Sequence, residues 1–336
     1  MNTSKTVIPT KVGIQNILKT WNSGLRRNDE AVSLRGSLMS KYYFLLLSIL
    51  LLLPACGVRN AATAVTGDIL SRGMVEVETE EDVFIAKESA VPLLKVLDVL
   101  HMGDPTNKRF LGLLAKTYGN YAFGFAELEA INARGAERNT AKADEWLARA
   151  GRFYEKGKDF GIAALSAGGK KISDIPLDKF NARLKKFSKK DVEPLFWTAF
   201  DWGSFINMNR DDIAVTADLP RVSALVDRVM ELDPDFMCGI AHAFKGALLV
   251  ANPFLTGSRP EVAKPHFEKA VAMCDGNFLM SKVMYAEWYQ KTVGDNSGFK
   301  KTLEDVAGAD ASKYPRQRLA NELAKERARA LLKMER

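Results

Sequence analysis

Asp218-Leu-Pro-Arg-Val-Ser-Ala-Leu-Val-Asp-Arg-Val-Met-Glu-Leu-Asp-Pro234 is the stretch on which the fold turns. Val222, Val226 and Val229 recur at steps of four and three, so their side chains share one face of a helix. Asp218 offers a capping oxygen at the start and Pro220 a preset φ in the first turn, while Leu232-Asp-Pro234 closes the element. The same punctuation extends in both directions. Ile85, Ser89, Leu93, Val96, Leu97 and Leu100 form one helical face, interrupted by Gly103-Asp104-Pro105. A second helix carries Phe110, Leu113, Leu114, Tyr118, Tyr121, Phe125 and Leu128 and ends at Gly135. Thr140 caps a third, through Trp146, Leu147, Ala150, Phe153 and Tyr154. Pro176 and Pro194 mark the first turns of two more, and helices are expected at 236–251, 260–274, 278–292, 297–307 and 315–334. Long alternating runs of the β type are missing from this pattern. The fold class is therefore all-α, a stack of antiparallel helix hairpins joined by short loops.

The hairpins carry a degenerate tetratricopeptide-like spacing. Ala263, Phe267 and Ala270 match A-x3-F-x2-A, Ala143, Leu147 and Ala150 match it loosely, and Val222, Val226 and Val229 with Pro234 match its spacing with larger side chains. Val226 and Phe267 lie 41 residues apart, longer than that repeat, with the extra length around Asn252–Pro260 and before Gly246.

The net charge of +7 over 336 residues is unevenly placed. Taking away the seven basic and two acidic residues of 1–56 leaves 41 basic and 39 acidic, a net of +2. That balance lacks the electrostatic footprint of a nucleic-acid binder. Lys41 precedes a twelve-residue apolar run, 42–53, which is shorter than the ~20 residues of a membrane-spanning helix. A charged start, an apolar middle and a small-residue exit describe a secretory signal. Leu53-Pro54-Ala55-Cys56 resembles a lipobox, although Pro54 departs from the usual residue there. The resemblance implies cleavage before Cys56, lipid attachment at Cys56, and, with Gly57 following, placement in the outer membrane facing the periplasm. Val7–Gln15 and Trp21–Asp29 resemble a translated interspersed repeat, so 1–38 is expected to be a non-native extension with translation starting at Met39. The expected organisation is 1–38 extension, 39–56 signal, 57–81 tether and 82–336 helical domain.

Glu193-Pro-Leu-Phe-Trp-Thr-Ala-Phe-Asp-Trp-Gly203, Asp218-Leu-Pro220, Leu232-Asp-Pro-Asp-Phe236 and Gly239-Ile-Ala-His242, continued by Pro253, Gly257 and the 263–270 motif, resemble the T component of tripartite ATP-independent periplasmic (TRAP) transporters. The likeness covers 65–310 and is strongest at 190–275. It implies a lipoprotein of tetratricopeptide-like hairpins, a homotrimer, a periplasmic solute-binding protein as partner, and an apolar pore or cleft passing a small hydrophobic or carboxylated ligand. A generic envelope scaffold is the alternative. Phe196, Trp197, Asp201 and Trp202, with His242, are the candidate ligand residues, since aromatics with a few polar groups suit such a pocket. The same aromatics would equally serve as core between repeats. Phe254 and Leu255 in the 252–260 loop are a second candidate contact.

Cys238 and Cys274 fall near facing ends of an expected hairpin. In an oxidising compartment they can pair, and two buried thiols are the alternative. His101, His242 and His266 show no metal-ligand spacing, and no nucleophile elbow, phosphate loop or dinucleotide fingerprint occurs. No catalytic residue, metal or cofactor is assigned, and the chain is not expected to be an enzyme. Cys56→Ala is expected to abolish incorporation of labelled palmitate into the protein, and a variant that still takes up label would remove Cys56 as the anchor.

Overall fold

The computed structural model describes residues 55–166, 170–251, 257 and 259–335. The extension, the signal up to Pro54 and the Phe254–Leu255 contact lie outside the described residues. In chain order the helices are α1 (Ala55–Thr79), α2 (Val83–Gly103), α3 (Lys108–Tyr121), α4 (Glu127–Gly135), α5 (Thr140–Leu165), α6 (Leu177–Leu184) and α7 (Val192–Met208). They continue as α8 (Ile213–Thr216), α9 (Leu219–Leu232), α10 (Ile240–Ala251), α11 (Pro260–Ala272), α12 (Leu279–Met284), α13 (Asn296–Gly308) and α14 (Arg318–Met334). Two π-helical segments interrupt the sequence, Ala122–Ala126 between α3 and α4 and Tyr285–Gln290 after α12. The body from Thr63 to Arg336 is one compact unit.

Successive helices pack against one another: α2 on α3, α3 on α5, α5 on α7, α7 on α9, α9 on α10, α10 on α11. The stack then returns on itself, because α14 packs on α4 and reaches α2. Val222, Val226 and Val229 are fully buried, as are Ala263 and Phe267. Caps follow side-chain chemistry. Asn107 accepts from the backbone N–H groups of Arg109 and Phe110, and Asp82 from those of Phe84 and Ile85.

Three expectations change. The stretch 57–81 is not a free tether: α1 runs to Thr79, and from Thr63 onward it lies on the body. Leu70, Met74 and Val77, at steps of four and three, supply its apolar stripe. Thr63 donates to Asp104 at 2.9 Å, Arg109 pairs with Asp68 at 3.0 Å, and Lys116 pairs with Glu78. The buried face of α2 is rotated from the expected one. Ala86, Leu94 and Leu97 are inside, whereas Ile85 and Val96 are exposed, because α2 has more apolar residues than one face can hold. Finally, α5 is capped by Asn139, one residue before Thr140, through its side-chain oxygen and the N–H of Lys142.

The centre of the stack, α3–α5–α7, is set by close approach. A Cβ at Gly157 would lie 2.3 Å from Oδ2 of Asp201, and one at Gly119 would lie 2.2 Å from its Oδ1. Both distances are far inside van der Waals contact, so α3 and α5 present bare backbone to the Asp201 carboxyl. Gly157→Ala is expected to destabilise the fold by ~1–3 kcal/mol through overpacking. Urea unfolding should show this cost shrinking in an Asp201→Ala background, and equal cost in both backgrounds would show that the carboxyl does not set the spacing.

Candidate functional site

The stack forms a partly open cavity of about 120 Å3, walled by α1, α2, α3, α7 and the start of α14. Its lining is overwhelmingly apolar. Phe196, Trp197 and Phe200 project from α7, Tyr121, Phe123 and Phe125 from the end of α3 and the π segment, and Met74, Met237, Met280 and Met284 add unbranched side chains that adapt to irregular shapes. An apolar concavity with a few polar groups is the kind of surface that small-molecule sites use.

The helical period of α7 explains which candidates reach the cavity. Phe196 and Phe200 sit one turn apart and stack at 6.0 Å between centroids, with Trp197 edge-on to both. Trp202 lies about 140° round the helix from Trp197 and is buried beside Lys158 and Asp218 on the outer wall, away from the cavity. Asp201 turns toward the glycines of α3 and α5. His242, on α10, faces α11. Phe196 and Trp197 therefore line the cavity, whereas Asp201, Trp202 and His242 do not.

Polar chemistry in the lining is sparse. The indole Nε1 of Trp197 is buried without a hydrogen-bond partner, leaving a donor that costs free energy unless a ligand satisfies it. Glu78, Ser89, Thr117, Asn120, Gln317 and the phenol of Tyr121 belong to the remaining polar residues of the lining. Among the described lining residues none is Lys, Arg or His, and Glu78 is neutralised by Lys116. Lys116, which also binds Glu193 at 2.6 Å, keeps its proton more firmly than usual because these two carboxylates outweigh its burial.

Asp201 is fully buried and neither carboxyl oxygen has a hydrogen-bond partner. Burial pushes its carboxyl well above the ordinary carboxylate range, so the acid form is held in the folded state. His242 and His266, 24 residues apart, meet Nδ1 to Nδ1 at 3.0 Å where α10 packs on α11. Such a contact needs one ring nitrogen to donate and the other to accept. Burial, with Lys269 and His266 adding, lowers His242 to about 4. Among the described residues no cluster of three or more metal-ligating groups occurs.

Cys238 and Cys274 form a disulfide with Cα atoms 5.6 Å apart. Each precedes a glycine at positive φ: Met237, Cys238 and Gly239 at 44°, 54° and 70°, and Cys274, Asp275 and Gly276 at 50°, 54° and 68°. These paired left-handed turns carry Met237 and Phe278 to the cavity wall. Sequence reasoning missed the turns, since only Gly239 and Gly276 signal them, and it missed Phe123 and the methionines, whose roles depend on helices distant in the chain.

The structure is thus an all-α hairpin stack with an apolar cavity. Residues 79–336 match the family described as TRAP transporter T-component, and the chain belongs to that family. It is also similar to an uncharacterized protein of Treponema pallidum (strain Nichols), 22% identical over 256 residues, covering 75% of this chain and 79% of the relative. Membership makes it a transport-system component of the membrane-associated cell envelope. Among the described residues no helix is long and apolar enough to cross a membrane.

The Asp201 shift has a pH signature. A carboxyl whose folded value is raised contributes stability that is full below its unfolded value near 3.8 and is lost as pH rises through the folded value. Asp201→Asn is therefore expected to flatten the fall in urea-unfolding stability as pH rises above about 4. An unchanged slope would show that Asp201 does not titrate across the folding transition.

Proposed function

We propose that this chain is a lipid-anchored, periplasm-facing T component that docks a solute-binding protein and receives a small apolar ligand in its central cavity. The observation that carries the reading is the cavity itself, aromatic and methionine-walled, with one unpaired donor at Trp197. A ligand with an extended hydrocarbon body and one acceptor oxygen suits both features: the body buries against the aromatics and the oxygen accepts from the indole. A carboxylated ligand fits less well, because the described lining offers no cation to balance its charge. Anchoring at Cys56 would hold the module at the membrane, with two or more acyl chains for firm attachment. Outer-membrane placement and assembly as a trimer belong to the same proposal.

A scaffold role has its own support. Phe84, Ile85, Val91, Val96, Val99 and Met102 leave one side of α2 apolar and exposed, as protein-contact surfaces often are. Substitution of Phe84 and Val99 by Ser, with the cavity intact, is expected to weaken capture of the solute-binding protein if docking uses this face.

The ligand reading is tested with N-phenyl-1-naphthylamine, an apolar fluorophore, displaced by 1-dodecanol or dodecane. Saturable binding near one equivalent per chain is expected. Trp197→Phe should weaken 1-dodecanol about tenfold, the loss of one hydrogen bond to a buried donor, and leave dodecane nearly unchanged. No saturable binding of any of these would leave the scaffold.

A further inference from the structure

Two helix ends meet at the start of the body and carry exposed apolar side chains there. Thr63, in α1, donates to Asp104, the residue that closes α2, at 2.9 Å. Val65 and Ile69 follow Thr63 by two and six residues, and Val99 and Met102 precede Asp104 by five and two. At a helical rise of about 1.5 Å per residue, all four stand within about 10 Å of that hydrogen bond along their helix axes. Each is between 60% and 79% exposed.

Charge divides α2 along its length. Its beginning is acidic, with Glu80, Glu81, Asp82 and Glu88. Its Asp104 end is flanked by Lys95, Lys108 and Arg109, with Arg72 added from α1. Arg72 and Arg109 share Asp68, and Lys95 pairs with Asp98 at 3.0 Å. In each pair the cation is the more exposed partner, so the basic heads reach further into solvent than the carboxylates that hold them. Apolar tips beside outward-reaching cations suit the interface of a phospholipid bilayer. Hydrocarbon enters between the acyl chains, while ammonium and guanidinium groups stay with the phosphates.

The length of chain before the body says why a bilayer is the surface within reach. Cys56 precedes Thr63 by seven residues, which span at most about 25 Å when fully extended. An acyl anchor on Cys56 keeps Thr63, and the apolar edge beside it, within that distance of the headgroups. So short a link holds the edge at high local concentration next to the membrane. The acidic start of α2 lies a whole helix away, 21 residues or about 30 Å.

Resting on the reading of Cys56 as a lipid anchor, we propose that Val65, Ile69, Val99 and Met102, flanked by Lys95, Lys108 and Arg109, form a second membrane contact seated in the headgroup region of a phospholipid surface. The contact fixes how the body stands. The acidic end of α2, with the cavity-lining Ala86, Ser89 and Ala90 near it, points away from the bilayer.

The test places the acylated chain on vesicles of phosphatidylethanolamine and phosphatidylglycerol. The photoreactive residue p-benzoyl-L-phenylalanine replaces Val99, Met102 or, as a control, Ile213, which is exposed on α8. Irradiation should give phospholipid adducts at Val99 and Met102 at least tenfold more often than at Ile213. In the unaltered chain on the same vesicles, chloramine-T should oxidise Met102 at least threefold more slowly than half-buried Met334, a reading that needs no variant to fold. Equal lipid adducts at all three positions, adducts at Val99 to protein in place of lipid, or Met102 oxidised as fast as Met334 would overturn the second contact, while a chain that still floats with the vesicles keeps the anchor. A chain that bears no acyl group on Cys56 and stays behind when the vesicles float would remove the anchor and the contact with it.

Discussion

The carboxyl of Asp201, lodged against the glycine backbones of α3 and α5, is the contact on which the interior depends. Helices ordinarily pack 8–10 Å apart, with side chains filling the seam. Here two positions carry no side chain, and a third helix inserts a polar one. That choice fixes the rotation of α7: once Asp201 points at α3 and α5, the helical period turns Phe196 and Phe200 inward and Trp202 outward. Asp201 stays uncharged because its site excludes water and offers no partner. An ionised carboxylate there would be far costlier than the neutral acid.

Ring closure is the second requirement. A hairpin stack left open would present a groove, and this one closes because α14 returns to α4. Arg327 binds Glu127 across 200 residues of chain and Glu287 across 40. The desolvation of the guanidinium is met by carboxylates on both sides, which hold its proton still more firmly than in water. The ion cluster meets both π-helical segments, at the Phe123 carbonyl and at Glu287, so the element that closes the ring also shapes its interior.

The left-handed turns at 237–239 and 274–276 show local geometry serving the same cavity. Four residues other than glycine adopt positive φ there, each conformation costing on the order of 1 kcal/mol or more. The disulfide joins these two turns, and Met237 and Phe278 extend from them into the lining. Sequence spacing brought the cysteines to facing helix ends and left their pairing open; the chain reversal between α10 and α11 brings them within reach of each other.

What the sequence determined by itself was most of the helix inventory, α1 and α8 excepted, and the family. Periodicity, prolines and capping oxygens act within a few residues, so α9, α10 and α11 and the burial of Val222, Val226, Ala263 and Phe267 were legible directly. The stretch 193–242 carries the kinship, and with it the candidacy of Phe196 and Trp197. Tertiary structure alone decided that Trp202, Asp201 and His242 face elsewhere, that α1 packs rather than tethers, that His242 meets His266, and that Phe123 lines the cavity. The reason is geometric: a periodic pattern gives a residue's angle about its own helix axis, whereas what that angle faces depends on how helices distant in sequence are packed.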